Sequence, residues 1–190
     1  MRNINSDINL GFGEVYMQKD IKSEVIEWIK AIVFALVLAL IIRGLIFEPM
    51  IVPTGSMIPT IEINDRILVN KFIYRFQVPD YNDIVVFKYP DDPHQTFVKR
   101  LIGKGGDIIE IKDGTLYRNN EPVQEAYIKE PMYSDSGPYK VPEGHYFMMG
   151  DNRNNSKDSR FWENKYVSQN QVIGKATYRI WPINRIGQLK

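Results

Sequence analysis

The sequence predicts a mainly β domain behind a single N-terminal membrane-spanning helix. Two observations lead there. Residues 31–42, AIVFALVLALII, are twelve apolar residues in a row between Lys30 and Arg43. After Pro49 the pattern changes to short β-rich runs bounded by Pro, Asn, Asp and Gly. The length of 190 residues suits one compact domain with an appendage. Net charge is +1, with acids and bases mixed along the chain, so nothing calls for nucleic acid as a partner. There is no cysteine, which excludes disulfides, thiolate nucleophiles and Cys-based zinc sites. The two histidines, His94 and His145, are thin material for a metal centre or a Ser-His-Asp triad. No metal or cofactor is implied.

Residues 1–20 are polar and unpatterned and read as a flexible cytoplasmic tail. Residues 21–47 read as the anchor with an amphipathic lead-in. Val25, Trp28, Ile29 and Ile32 fall at helical spacing, and Leu45, Ile46 and Phe47 extend the run past Arg43. A helix over 25–47 spans roughly 34 Å, enough for a bilayer core. Lys30 and Arg43 can snorkel, Trp28 suits an interface, and Pro49 marks a stop. A buried core helix is the alternative. A cleaved secretory signal fits less well, because no small-x-small site follows within RGLIFEP. Residues 1–24 carry three basic and four acidic residues, so charge leaves the orientation open.

The β-rich domain is expected over 48–190. Strands are expected at 67–69, 83–89, 96–103, 145–150 and 172–181, with a meander over 107–123. Asp113-Gly114 is a hairpin signal and Asn119-Asn120 a weaker one. Residues 129–144, rich in Pro, Gly, Ser and Tyr, read as a loop excursion, and little or no inserted subdomain is expected.

Three stretches stand out chemically. In IVPTGSMIPTIE, residues 51–62, two prolines bracket a Gly-Ser-Met. A serine hydroxyl needs a neighbouring base before it can act as a nucleophile. In FVKRL, residues 97–101, strand alternation puts Lys99 on one face with Phe97 and Leu101, and Arg100 on the other with Val98 and Ile102. Burial lowers a lysine pKa, and only Lys99 can give up its proton, because arginine cannot. Periodicity alone favours a structural network in which both cations pair with carboxylates. In MGDNRNNSKDSR, residues 149–160, Asp151, Arg153, Ser156, Asp158 and Arg160 crowd together, either as a solvated loop or as a rigid polar turn.

Taken together and in order, these stretches resemble type I signal peptidase, the membrane-anchored Ser-Lys endopeptidase family. PTGSMIPT resembles its nucleophile box. DIVVFKYPDDP followed by FVKRLIGKGGD resembles its lysine box, and GHYFMMGDNRNNSKDSR its C-terminal box. The likeness covers about residues 25–180 and implies a partly barrel-like catalytic domain. Carried over by position, it implies Ser56 as nucleophile and Lys99 as general base. Thr54 and the Ser56 N–H form the oxyanion hole, and Ser156 hydrogen-bonds and orients the lysine. Arg100, Asp151, Arg153, Asp158 and Arg160 form a supporting polar network in which Arg100 pairs with one of the acids. Val52, Met57, Val86 and Val98 line shallow pockets that suit an Ala-x-Ala preference.

The implied partners are preprotein signal peptides, the lipid bilayer and, as a further candidate, the secretion translocon. The implied place is the cell membrane, single-pass, with the catalytic domain on the extracytoplasmic face. The sequence departs from the family pattern in three places. Asn154 replaces a usual Asp, which weakens an ion pair. Gly105 replaces a frequent Pro, and FWENKYVSQNQ lacks an early glycine. Two other classes remain in view: a self-cleaving repressor-type Ser-Lys protease, against which the anchor argues, and a membrane-anchored β module used for binding.

Overall fold

The computed structural model describes residues 21–190. The tail expected over 1–20 lies outside the described residues, as do the side chains of Ile21, Ile42, Arg43 and Leu45. Helix α1 runs Ile21–Leu45. Its apolar side chains are exposed on every side, with Val25, Trp28, Phe34, Leu36 and Leu40 all at least half exposed. Among the described residues no helix is long and apolar enough to cross a membrane. The helix ends two residues earlier than the sequence suggests. Proline at position 49 cannot follow in a helix, because its ring would clash with the carbonyl of Leu45.

Twelve strands follow. The first four are β1 (Phe47–Ile51), β2 (Arg66–Asn70), β3 (Ile84–Tyr89) and β4 (Asp92–Lys104). Then come β5 (Ile108–Lys112), β6 (Thr115–Arg118), β7 (Glu121–Pro122) and β8 (Ser136–Lys140). The last are β9 (His145–Met149), β10 (Val167–Ser168), β11 (Val172–Trp181) and β12 (Gly187–Gln188). The main sheet has the order β1-β2-β11-β3-β4-β9-β10, with β12 also on β11. Every pairing is antiparallel. Strand β1 holds Pro49 at an edge, where a missing N–H is tolerated. The path is open, so the pairing does not close a barrel.

The expected hairpins form at Asp113-Gly114 and Asn119-Asn120, where positive φ angles suit Asn, Asp and Gly. The excursion over 129–144 differs from expectation. It contains β8, which completes a four-stranded sheet β7-β6-β5-β8. This second sheet is not a separate subdomain, because residues 41–190 form one compact unit. Ile109, Ile111, Leu116 and Met132 share a core with Ile102, Phe147 and Met149 of the main sheet.

Strand β4 organises the rest. It pairs with β3 in the register Val86↔Val98, Val85↔Lys99 and Ile84↔Arg100. Successive side chains therefore enter different surroundings. Phe97 and Leu101 pack with Val85, Phe87, Tyr89 and Trp162, while Val98 packs against Val52, Met57, Ile67 and Val86. Trp162 is 1% exposed and seals the first cluster, with ring centroids 5.3 Å from Tyr89, 5.9 Å from Phe87 and 6.0 Å from Phe97. Its indole N–H has no hydrogen-bond partner. Trp162→Ala should cost about 3–5 kcal/mol in urea unfolding, the usual range for emptying an aromatic core site. Trp162→Phe also deletes the unpaired N–H and should cost less than half as much.

Candidate active site

Ser56 sits in the loop that joins β1 to β2. Two buried apolar residues pin that loop, Met57 and Ile61, both 0% exposed. Backbone bonds close it: Ile58 N–H donates to Gly55 O at 3.2 Å, and Ile61 N–H to Met57 O at 2.9 Å. Val52 N–H donates to Asp65 O at 3.0 Å, and Asn64 N–H to Val52 O at 2.8 Å. Ser56 itself is 8% exposed. Apolar residues around it, Val52, Met57 and Ile61, are drawn into the core, and the serine is a nearly buried polar group on the wall of a cleft.

Lys99 reaches this serine from β4. Its Nζ lies 2.7 Å from Ser56 Oγ and 3.1 Å from Val98 O. The residue is 4% exposed, with the Phe97 ring centroid 5.2 Å from Nζ. It forms no ion pair among the described residues. Burial lowers its pKa to about 8, against a weaker upward pull from the charges of Asp158 and Asp151. The result is an amine largely free of its extra proton above that pH and in hydrogen-bond contact with a hydroxyl. Such a pair can transfer a proton from oxygen to nitrogen. Thr54 Oγ1 lies 3.5 Å from Ser56 Oγ.

Arg100, on the opposite face, is handled differently. Its guanidinium clasps Asp151 with two bonds, Nε to Oδ1 at 2.8 Å and Nη2 to Oδ2 at 2.6 Å. Both side chains are almost fully buried. Removing either partner would strand a buried charge, a loss of about 3–5 kcal/mol. Asp158 clasps Arg160 at 2.8 Å and accepts the Gly150 N–H at 3.1 Å. Arg160 Nη2 in turn donates to Arg153 O at 2.7 Å. Arg153 donates to Gly150 O at 3.1 Å and pairs with Glu125, Nη1 to Oε2 at 2.7 Å.

Two expected placements differ. Ser156 does not bond Lys99; its Oγ is buried without a partner. Lys99 Nζ uses its contacts on Ser56 and Val98 instead, while Ser156 Oγ packs over Gly150. Met57 does not line a pocket. It turns away from the neighbouring serine into the core with Val52 and Ile61. The cleft beside Ser56 has a volume of about 590 Å³, and Val52, Val86 and Val98 do line it. Met50, Phe97, Gln95, Asn155 and Lys157 complete its walls. His94 and His145 are not among the lining residues. No cluster of three His, Cys, Asp or Glu side chains suited to a metal exists among the described residues.

The sequence reading missed Glu125, Tyr127, Thr60 and Asn152. Tyr127 lays its ring 3.9 Å from the Arg100 guanidinium and donates its hydroxyl to Glu125 at 2.8 Å. Thr60 donates to Asp151 at 2.5 Å. Asn154 also differs from expectation. Its Nδ2 donates to Glu130 and to Pro131 O, and its Oδ1 accepts the Tyr133 N–H. A carboxylate could not make those donations, so this position ties down a loop rather than weakening an ion pair.

The family model for signal peptidase, peptidase S26, matches residues 25–181. The chain belongs to this family. It is 41% identical over 175 residues to the signal peptidase I of Leptolyngbya laminosa, covering 88% of this chain and 85% of that one. It is 39% identical over 175 residues to signal peptidase I T of Bacillus subtilis (strain 168), covering 87% and 90%. A crystal structure of a signal peptidase I from Enterococcus faecalis V583 is 34% identical, with a TM-score of 0.47, over 53% of this chain and 98% of that chain. The protein is therefore an enzyme of the peptidase class.

Gly150 is the tightest of the glycines around Ser56. A Cβ there would lie 2.3 Å from Ser156 Oγ and 2.4 Å from the Ser56 carbonyl oxygen. The second contact is with backbone and cannot swing aside. Gly150→Ala should therefore push the Ser56 loop away from Lys99 and lower kcat at least about 100-fold, as small misplacements of reacting groups do. A steady-state peptide cleavage assay on folded protein checks this, and activity within about threefold of wild type would refute it.

Proposed function

We propose that this peptidase removes N-terminal signal peptides from exported preproteins by a Ser-Lys mechanism, cutting after small residues in Ala-x-Ala sequences. The observation that carries the reading is the 2.7 Å contact between the unpaired, buried Lys99 amine and the Ser56 hydroxyl. Lys99 takes the Ser56 proton as Oγ attacks the scissile carbonyl carbon. The carbonyl π pair moves onto oxygen, where the Ser56 N–H and the Thr54 hydroxyl donate to it. Collapse expels the new N-terminal amine of the mature protein, which takes a proton from Lys99, and leaves an acyl-enzyme. Lys99 then takes a proton from water as it attacks the ester, and returns that proton to Ser56 Oγ as the signal peptide leaves.

Valine walls at 52, 86 and 98 favour small side chains before the cut. In this reading Ser156, whose hydroxyl has no hydrogen-bond partner, fills the space beside Gly150. Arg100, Asp151, Arg153, Asp158 and Arg160 hold the strand and loop that carry the reacting groups. Residues 21–47 anchor the enzyme in the membrane, single-pass, with 48–190 on the extracytoplasmic face. The twelve-residue apolar run and the exposed apolar side chains of α1 support this, because a helical stretch apolar on all faces needs an apolar surrounding. The tether from Phe47 to Ser56 reaches at most about 30 Å, which keeps the nucleophile near the bilayer where a preprotein emerges. Lipid and, as a further partner, the secretion translocon then meet the enzyme there.

The decisive experiment is cleavage of a model preprotein with an Ala-x-Ala site by wild type, Ser56→Ala and Lys99→Ala. Only wild type should cut; cleavage surviving in either variant defeats the assignment. The base must be neutral, so kcat/KM should fall about tenfold per pH unit below the Lys99 pKa of about 8 and level off above it. A profile flat between pH 6 and 9 would remove Lys99 from that role. Alkaline carbonate extraction of membranes carrying the full chain should leave the protein in the pellet; release to the supernatant would refute the anchor.

A further inference from the structure

Asn152 stands outside the ion pairs of its loop, and it contacts the nucleophile loop twice. Its backbone N–H donates to Ser56 O at 3.1 Å, and its Nδ2 donates to Gly55 O at 3.0 Å. Gly55 O also accepts the Ile58 N–H. The two carbonyls belong to the peptide planes before and after the Ser56 Cα. The Gly55-Ser56 bond is not among the three cis peptides, so that plane is trans. In a trans peptide the C=O and the N–H point in opposite directions from one rigid plane. Fixing Gly55 O therefore fixes where the Ser56 N–H points. That N–H donates to no group among the described residues, and Gly55 and Ser56 both line the cleft.

We propose that Asn152 is a positioning residue for the oxyanion: its side-chain amide anchors the Gly55-Ser56 peptide plane so that the Ser56 N–H faces the cleft before substrate arrives. This rests on the Ser-Lys reading above. When Ser56 Oγ bonds to the carbonyl carbon, its proton passes to Lys99 and the π pair moves to oxygen. The charge appears only then, so an N–H already aimed at it stabilises the transition state and leaves substrate binding unchanged. Thr54 cannot substitute for this, because its hydroxyl rotates freely about its Cβ–O bond.

The test uses the full chain carrying N152D, close in shape to the wild type but unable to donate from its side chain. Expected on the alkaline plateau are a 10- to 100-fold lower kcat and KM within about twofold, and, in the uncharged N152S, an unchanged pH midpoint. A peptide aldehyde, which forms a tetrahedral adduct on Ser56, should bind more weakly by the same factor as kcat. The product peptide should bind as before. A merely structural role would lower the melting temperature and move KM with kcat, which would overturn the proposal. So would a displaced pH midpoint in N152S, which adds no charge and would then mean that Asn152 acts through Lys99. So would a kcat within about threefold of wild type. N152S is measured beside it and stands alone if N152D does not fold. It keeps the backbone bond to Ser56 O, and its side chain is too short to reach Gly55 O. A wild-type chain that cuts no signal-peptide substrate overturns the peptidase mechanism itself. An active wild type beside an unimpaired N152D overturns this inference alone.

Discussion

Two consecutive cations, Lys99 and Arg100, are both taken out of water, and only one of them is given a counter-charge. The rest of the site follows from that asymmetry. A strand sends neighbouring side chains to opposite faces, so one β4 backbone can deliver them to unlike surroundings. Arg100 cannot lose its proton, so its burial requires the Asp151 carboxylate, the Asn82 and Lys190 carbonyls and the Tyr127 ring. Lys99 can lose its proton. Surrounded by Phe97 and the Ser56 loop, without an ion-pair partner, it has its pKa lowered to about 8.

The carboxylates that neutralise the arginines come from distant parts of the chain. Asp151 and Asp158 lie in the loop after β9, and Glu125 lies in the segment after β7. Arg153 joins the two regions, because its guanidinium is held by Glu125 while its Nε holds Gly150 O. The segment that follows β7 of the second sheet is thus tied to the backbone at Gly150, beside the Ser56 loop, through a buried ion pair. Low dielectric strengthens each bond of such a network and raises the cost of leaving any member unpaired.

Much of this was legible in the sequence. The long apolar run, the turn dipeptides and the alternation at 97–101 gave α1, the hairpins and the two faces of β4. The three motif stretches gave the neighbourhood of Ser56, Lys99 and Asp151. What could not be read has physical reasons. Glu125 and Tyr127 lie in a polar segment with no periodicity, and their partners are more than twenty residues away. The resemblance puts Met57 in a pocket wall, but the turn after Ser56 buries it in the core. Strand β8 contains Gly137 and Pro138, which read as loop, yet an edge position in a small sheet tolerates both. Ser156 was expected on the lysine, but its position depends on the packing over Gly150, which a residue string does not encode.

The burial of Lys99 also bears on the fold itself. In an unfolded chain a lysine titrates near about 10.4, and here it titrates near about 8. Below both values the native state must hold a proton it disfavours, at a penalty of about 3 kcal/mol relative to strongly alkaline solution. Between the two values the unfolded chain binds the proton and the folded one does not, so this residue's drag on stability lifts as pH rises through that window. At neutral pH the core therefore holds a desolvated charge, and the thermodynamic margin of the whole domain is narrower by that penalty.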